Sequence, residues 1–192
     1  MQRGRFGHAI RAFCALLALA LGTLLAAPAQ AQNVVQASAE AVVVSPLSLV
    51  RVDDLNFGQI VARPTPGTVT MDVNTGACTV TGAIVHAGTC QYAQFAGMGA
   101  RRMTVRFQVP NSITVTGPGG ATMLINNITL GTAPDLTFIG GNGNGLGNGN
   151  RRYRIDSPTG MFMFRVAGRL NVGANQAPGV YNGTFPVTVQ YQ

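Results

Sequence analysis

The sequence predicts an all-β chain, a sandwich of short strands joined by glycine, proline and asparagine turns. Three observations carry that prediction. Beyond residue 31 no helix-period apolar pattern is present. Several segments instead alternate apolar and polar residues with a period of two, the signature of a half-buried strand. The chain also holds 25 glycines and 10 prolines among 192 residues, and only 10% are charged. Strand-rich sandwiches with frequent tight turns have that composition.

Residues 1–31 read as a cleaved secretory signal. Arg3, Arg5 and Arg11 form a positive leader, Ala15 to Ala27 is apolar, and Ala29-Gln30-Ala31 fits a small-x-small cleavage site. The apolar run is too short for a comfortable membrane span. There is no twin-arginine pair, and Cys14 precedes the apolar run instead of ending it, which argues against a lipoprotein anchor. Nothing matches the glutamate and long helix that open a type IV pilin. The expectation is an exported protein whose mature chain begins near Gln32, destined for the periplasm, the cell surface or the exterior. No later segment is long and apolar enough to cross a bilayer as a helix, and residues 32–192 suit a single sandwich domain with a real core.

The elements follow in order. Val35, Ala37, Ala39, Ala41 and Val43 alternate with polar residues and form an extended strand of small side chains. It is either the first strand of the sandwich or a detachable arm that completes a neighbour. Strands are expected at Leu47 to Val52 and Leu55 to Ile60, with Asp53-Asp54 as a turn between them. Thr68 to Val73 alternates cleanly, and Asn74-Thr75-Gly76 turns the chain toward Cys78 and Cys90. Two cysteines left in an exported chain read as one disulfide, Cys78–Cys90, which contributes about 2–3 kcal/mol by restricting the unfolded chain. A metal or redox reading needs more ligands or a C-x-x-C spacing. Arg102 to Pro110 is a strong amphipathic strand with Met103, Val105, Phe107 and Val109 toward the core. Ile113 to Val115, Met123 to Leu130 and Leu136 to Ile139 are further strands. Residues 140–150 are a Gly/Asn-rich low-complexity segment, expected to be a flexible loop. It has no carboxylates to hold calcium and no strand–helix context to cradle a nucleotide. Phe162 to Val172 carries the longest strand signal, with Phe162, Phe164, Val166, Leu170 and Val172 on one face. The stretch from Tyr181 to Gln192 alternates again as a terminal strand, with Gly183, Phe185, Val187, Val189 and Tyr191 on its apolar side.

Charge and residue types narrow the function classes. The chain has no lysine, and three of its thirteen arginines lie in the leader. Ten arginines then face six carboxylates, a net charge of +4. Nucleic-acid binding would want a basic stripe with interleaved aromatics, whereas these arginines are scattered. The densest run, Arg151-Arg152-Tyr153-Arg154, is either a solvated strand end or a contact for an anionic surface such as lipopolysaccharide or an acidic glycan. The only histidine beyond the leader is His86, placed in a loop inside the disulfide. With no lysine, no G-x-S-x-G and dispersed carboxylates, the chain is expected not to be an enzyme. No cofactor or metal is expected.

Three segments together resemble a family. They are Leu55-Asn56-Phe57-Gly58-Gln59-Ile60, Phe164 to Val172, and Pro178 to Gln192 with its ending Val189-Gln190-Tyr191-Gln192. Their order and spacing resemble the secreted bacterial domain of unknown function 4402. The resemblance spans roughly Val35 to Gln192. It implies a pilin-like, immunoglobulin-like antiparallel β-sandwich and no established activity. The terminal strand is also similar to that of chaperone–usher pilin subunits, which implies assembly by strand addition. On that reading the partners are a periplasmic chaperone and other copies of the chain. Val35, Ala37, Ala39, Ala41 and Val43 are the donor arm, and Gly179, Gly183, Phe185, Val187, Val189 and Tyr191 are the assembly edge. Pro186 departs from the pattern, because proline removes one ladder hydrogen bond or forces a bulge. The plainer alternative makes both sets core positions of a complete monomer. The alternative function is a stand-alone secreted or cell-surface binding module for glycan or matrix, presenting Tyr92 and Tyr153.

Overall fold

A long central strand organises the larger of two packed sheets. The computed structural model describes residues 41, 43, 45–132, 134–141 and 151–192. The larger sheet contains β1 (Ser48–Asp53), β3 (Gly67–Met71), β4 (Cys78–Gly82), β6 (Ala93–Met98), β8 (Ile113–Thr116), β9 (Thr122–Gly131) and β12 (Met161–Val172). The smaller sheet runs in the order β10 (Leu136–Gly140), β11 (Arg151–Ile155), β7 (Thr104–Gln108) and β13 (Thr188–Tyr191). A two-strand ribbon joins β2 (Gln59–Val61) to β5 (Val85–Ala87). All these pairings are antiparallel. The expected all-β sandwich is therefore the architecture of the described residues.

The alternating residues of β12 explain its central place. Phe162, Phe164, Val166, Leu170 and Val172 are all buried on its inner face. Along one edge, β12 pairs first with β6 and then with β3, and its other edge carries β9. A bulge between Ala167 and Arg169 adjusts the pairing with β9. From the opposite sheet Phe107 drops onto this strand, its ring centroid 4.7 Å from Phe164 and 6.2 Å from Phe162. Tyr153 meets Phe107 edge-on at 5.2 Å, and Phe95 stacks on Phe164 at 5.1 Å. Phe107, Phe162 and Phe164 are fully buried. Each contributes about 2–3 kcal/mol by leaving water.

The structure differs from the sequence expectations in several places. Leu55 to Ile60 is not one strand: Asn56 makes an isolated bridge to Gln91, and the strand begins only at Gln59. Gly58 separates the two with a positive φ of 73°. The turn assigned to Asp53-Asp54 is instead a strand end, with Asp53 closing β1. Tyr153 is not an exposed binding aromatic but a core residue, 3% exposed, because its side chain takes the inward side of β11. His86 lies on a strand, β5, and is half-buried. The sequence leaves open whether the last two strands pair directly; β12 and β13 lie in different sheets of the sandwich and do not pair.

The terminal stretch is broken rather than continuous. Asn182 bridges to Thr116 on the larger sheet, and the ladder of β13 on β7 covers only Thr188–Tyr191. The reason is in the partner strand. Continuing the register Thr188↔Gln108 by two residues sets Pro186 opposite Pro110. Neither residue has a backbone N–H, so the ladder stops there.

Candidate functional site

The outer edge of β13 is the site that the terminal residues build. The Gln192 amide donates to the Thr104 carbonyl at 3.0 Å. In an antiparallel ladder the bonded pairs recur every second residue. The backbone groups of Thr188 and Gln190 therefore also point toward β7, and those of Val187, Val189 and Tyr191 point away from it. β13 ends its sheet, so among the described residues no strand pairs with that outer row. Pro186 shares the parity of Thr188 and Gln190. Its missing N–H faces β7 and leaves the outer row intact.

The side chains of this segment are held from beneath. Phe185, Val187, Val189 and Tyr191 pack on the core yet stay only half-buried. Phe185 meets Phe95 edge-on at 6.4 Å. The Tyr191 hydroxyl accepts from the Ala100 amide at 2.6 Å and donates to the Ser45 carbonyl at 2.8 Å. This ties the start of the sandwich to the end of β13. Gly179 and Gly183 lie elsewhere. Gly179 has a φ of 145°, and a side chain there would come within 2.2 Å of Pro118 Cγ. A Cβ on Gly183 would sit 2.5 Å from the Thr114 carbonyl oxygen on β8. Both glycines let the segment lie close against the larger sheet and its turn, and neither lines the free edge. Of the residues expected to form a donor arm, Ala41 and Val43 are exposed and outside any strand. Val35, Ala37 and Ala39 lie outside the described residues, as do the leader and residues 142–150 of the Gly/Asn-rich segment.

Metal-ligating residue types gather at one place. Cys78, His86 and Cys90 offer atoms within 4.8 Å of one another. Cys78 and Cys90 are joined as a disulfide with their Cα atoms 6.1 Å apart, which takes up both sulfurs. His86 Nε2 lies 2.8 Å from the Phe57 carbonyl and therefore carries the proton it donates. The group as it stands fastens β4 and β5 to the segment before β6.

Two carboxylates are held below the usual range by their hydrogen bonds. Asp72 is lowered chiefly by the Thr75 amide, then by the Asn74 amide and the Thr75 hydroxyl. Asp156 is lowered chiefly by the Arg154 guanidinium, 2.7 Å away, and then by the Thr137 hydroxyl. Neither forms an acid–base pair with another carboxylate.

The outer face of the smaller sheet holds an arrangement that sequence reading missed. Arg152 stands directly opposite Arg106, with Gly140 beyond Arg152 and Gln190 beyond Arg106. The Ile155 amide donates to the Met103 carbonyl at 3.0 Å, so by alternation Arg152 and Arg106 form a non-hydrogen-bonded pair. Such pairs bring side chains closest together. With its amide oxygen turned to Arg106, Gln190 accepts from both the NH2 and Nε groups, at 2.5 and 3.1 Å. Arg106 was legible as the polar side of a strand and Arg152 as part of a basic run, but no local pattern says that the two strands adjoin.

No curated protein and no solved structure matches this chain. Residues 47–191, which include every described strand, match the family described as Domain of unknown function (DUF4402), and the chain belongs to that family.

Proposed function

We propose that this chain is an exported structural subunit of a surface fibre, pilin-like in that it assembles by β-strand addition along the outer edge of β13. One observation carries the reading. The outer row of Val187, Val189 and Tyr191 backbone groups is unpaired by any described strand, while the side chains of the same segment are apolar and half-buried. An added strand satisfies the N–H and C=O groups and covers the exposed flank of the core. Such an edge is an aggregation hazard until it is filled, which is the reason for a periplasmic chaperone in this scheme. The occupant in the fibre is the alternating segment Val35, Ala37, Ala39, Ala41 and Val43 of another copy. Deleting residues 32–44 tests the reading: the shortened chain stays folded and monomeric where the full mature chain forms multiples.

A further inference from the structure

We propose that Arg106 and Arg152 form a binding site for the oxyanion groups of an acidic polysaccharide. The site does not depend on whether the chain polymerises. Like charges directly opposite each other on adjacent strands destabilise a sheet, and this pair occupies the closer of the two antiparallel spacings. Neighbouring carboxylates do not relieve it. The ion pairs among the described residues are Arg51–Asp54 and Arg154–Asp156, and neither involves Arg106 or Arg152. An anion lying between the two guanidinium groups removes the repulsion and accepts hydrogen bonds from both.

The surroundings prepare the pair for that role. Gln190 takes the Nε and NH2 groups of Arg106, which orients its plane and leaves NH1 available. On the other side, a Cβ at Gly140 would sit 3.3 Å from Arg152 NH2, so glycine gives that guanidinium room across the sheet. The rest of the face selects among anionic partners. The outward residues beside Arg106 are polar, Thr104 and Gln108 on β7 among them, and the exposed apolar side chains of this sheet, Phe138 and Ile139, lie on its edge strand β10. The aromatic rings of β7 and β11, Phe107 and Tyr153, point into the core, and Phe138 on β10 packs edge-on against Tyr153, so among the described residues no row of rings is set beside the pair to stack successive bases. A polar, basic strip along β7 and β11 suits a hydrated polymer with repeated carboxylate or sulfate groups.

The test compares the mature protein with Arg106→Gln, Arg152→Gln and the control Arg63→Gln. At matched ionic strength, sodium sulfate raises the melting temperature of the wild type and of Arg63→Gln above that in sodium chloride. Arg106→Gln and Arg152→Gln lose that increment. That loss is of the site-specific part only, since sulfate stabilises any folded protein by exclusion from its surface and a smaller increment remains in both variants. In chloride alone Arg152→Gln melts no lower than the wild type, because it removes a repulsion. Calorimetric titration with oligogalacturonate or dextran sulfate shows binding that falls about tenfold in each site variant and is unchanged in the control. An equal sulfate response in all four proteins overturns the proposal, as does the absence of polymer binding by the wild type. Binding only to phosphatidylglycerol vesicles overturns it in favour of a lipid headgroup.

Discussion

The Tyr191 hydroxyl joins three distant parts of the chain. It accepts from Ala100, donates to Ser45, and belongs to a ring that packs on the core. Tyr191→Phe keeps the ring and strips partners from a half-buried amide and a carbonyl, so it lowers stability by about 1–2 kcal/mol in urea denaturation. An unchanged midpoint would mean that the staple carries no stability. Asp72 acts at a turn. Its carboxylate receives the Thr75 and Asn74 amides and the Thr75 hydroxyl, and its folded-state pKa lies below that of the unfolded chain. The sign follows from linkage: its contribution is full above about pH 4, where the unfolded group is ionised, and is lost as pH falls through the lowered folded value. The stability advantage of the wild type over Asp72→Asn therefore shrinks as melting curves are taken down the acid limb. A gap that stays constant with pH contradicts the assignment. The turn was readable in Asn74-Thr75-Gly76, but the burial of Tyr153 was not. Whether a residue at the middle of a basic run faces in or out depends on the register of its strand.

At the scale of elements, legibility followed the strength of the period-two pattern. β7 and β12 were readable because each alternates large apolar residues, broken in β12 only at Gly168, and the structure buries Val105, Phe107, Phe162, Phe164, Val166, Leu170 and Val172. The terminal strand was overestimated because its alternation continues through Pro186, and the limit is set by Pro110, just past the end of β7 and far away in sequence. Pairing partners were not legible at all, which hid both the Arg106–Arg152 opposition and the placement of Gly179 and Gly183 against the larger sheet. The parity of β13 makes a prediction of its own. Val189→Pro removes an outward N–H that β7 does not use, whereas Gln190→Pro removes one donated toward β7. Gln190→Pro therefore lowers monomer stability by about 1–3 kcal/mol more than Val189→Pro. Val189→Pro remains folded and fails to assemble. Equal destabilisation by the two substitutions contradicts the assigned parity.

Across the described residues, a two-layer sandwich with a dense aromatic centre carries a half-covered flank at its last strand. The centre supplies stability through Phe107, Phe162 and Phe164, and on the proposed reading the flank offers its hydrogen-bonding groups to another chain. Family membership adds the fold's extent, residues 47–191, and says nothing of assembly. The most direct test of the central claim is an unboiled denaturing gel of surface-sheared material, blotted for this protein beside a boiled sample and beside the variant lacking residues 32–44. The account predicts a ladder of multiples in the unboiled wild-type lane, its collapse to monomer on boiling, and no ladder from the variant. A single monomer band in both wild-type lanes, or a ladder that persists without residues 32–44, would contradict it.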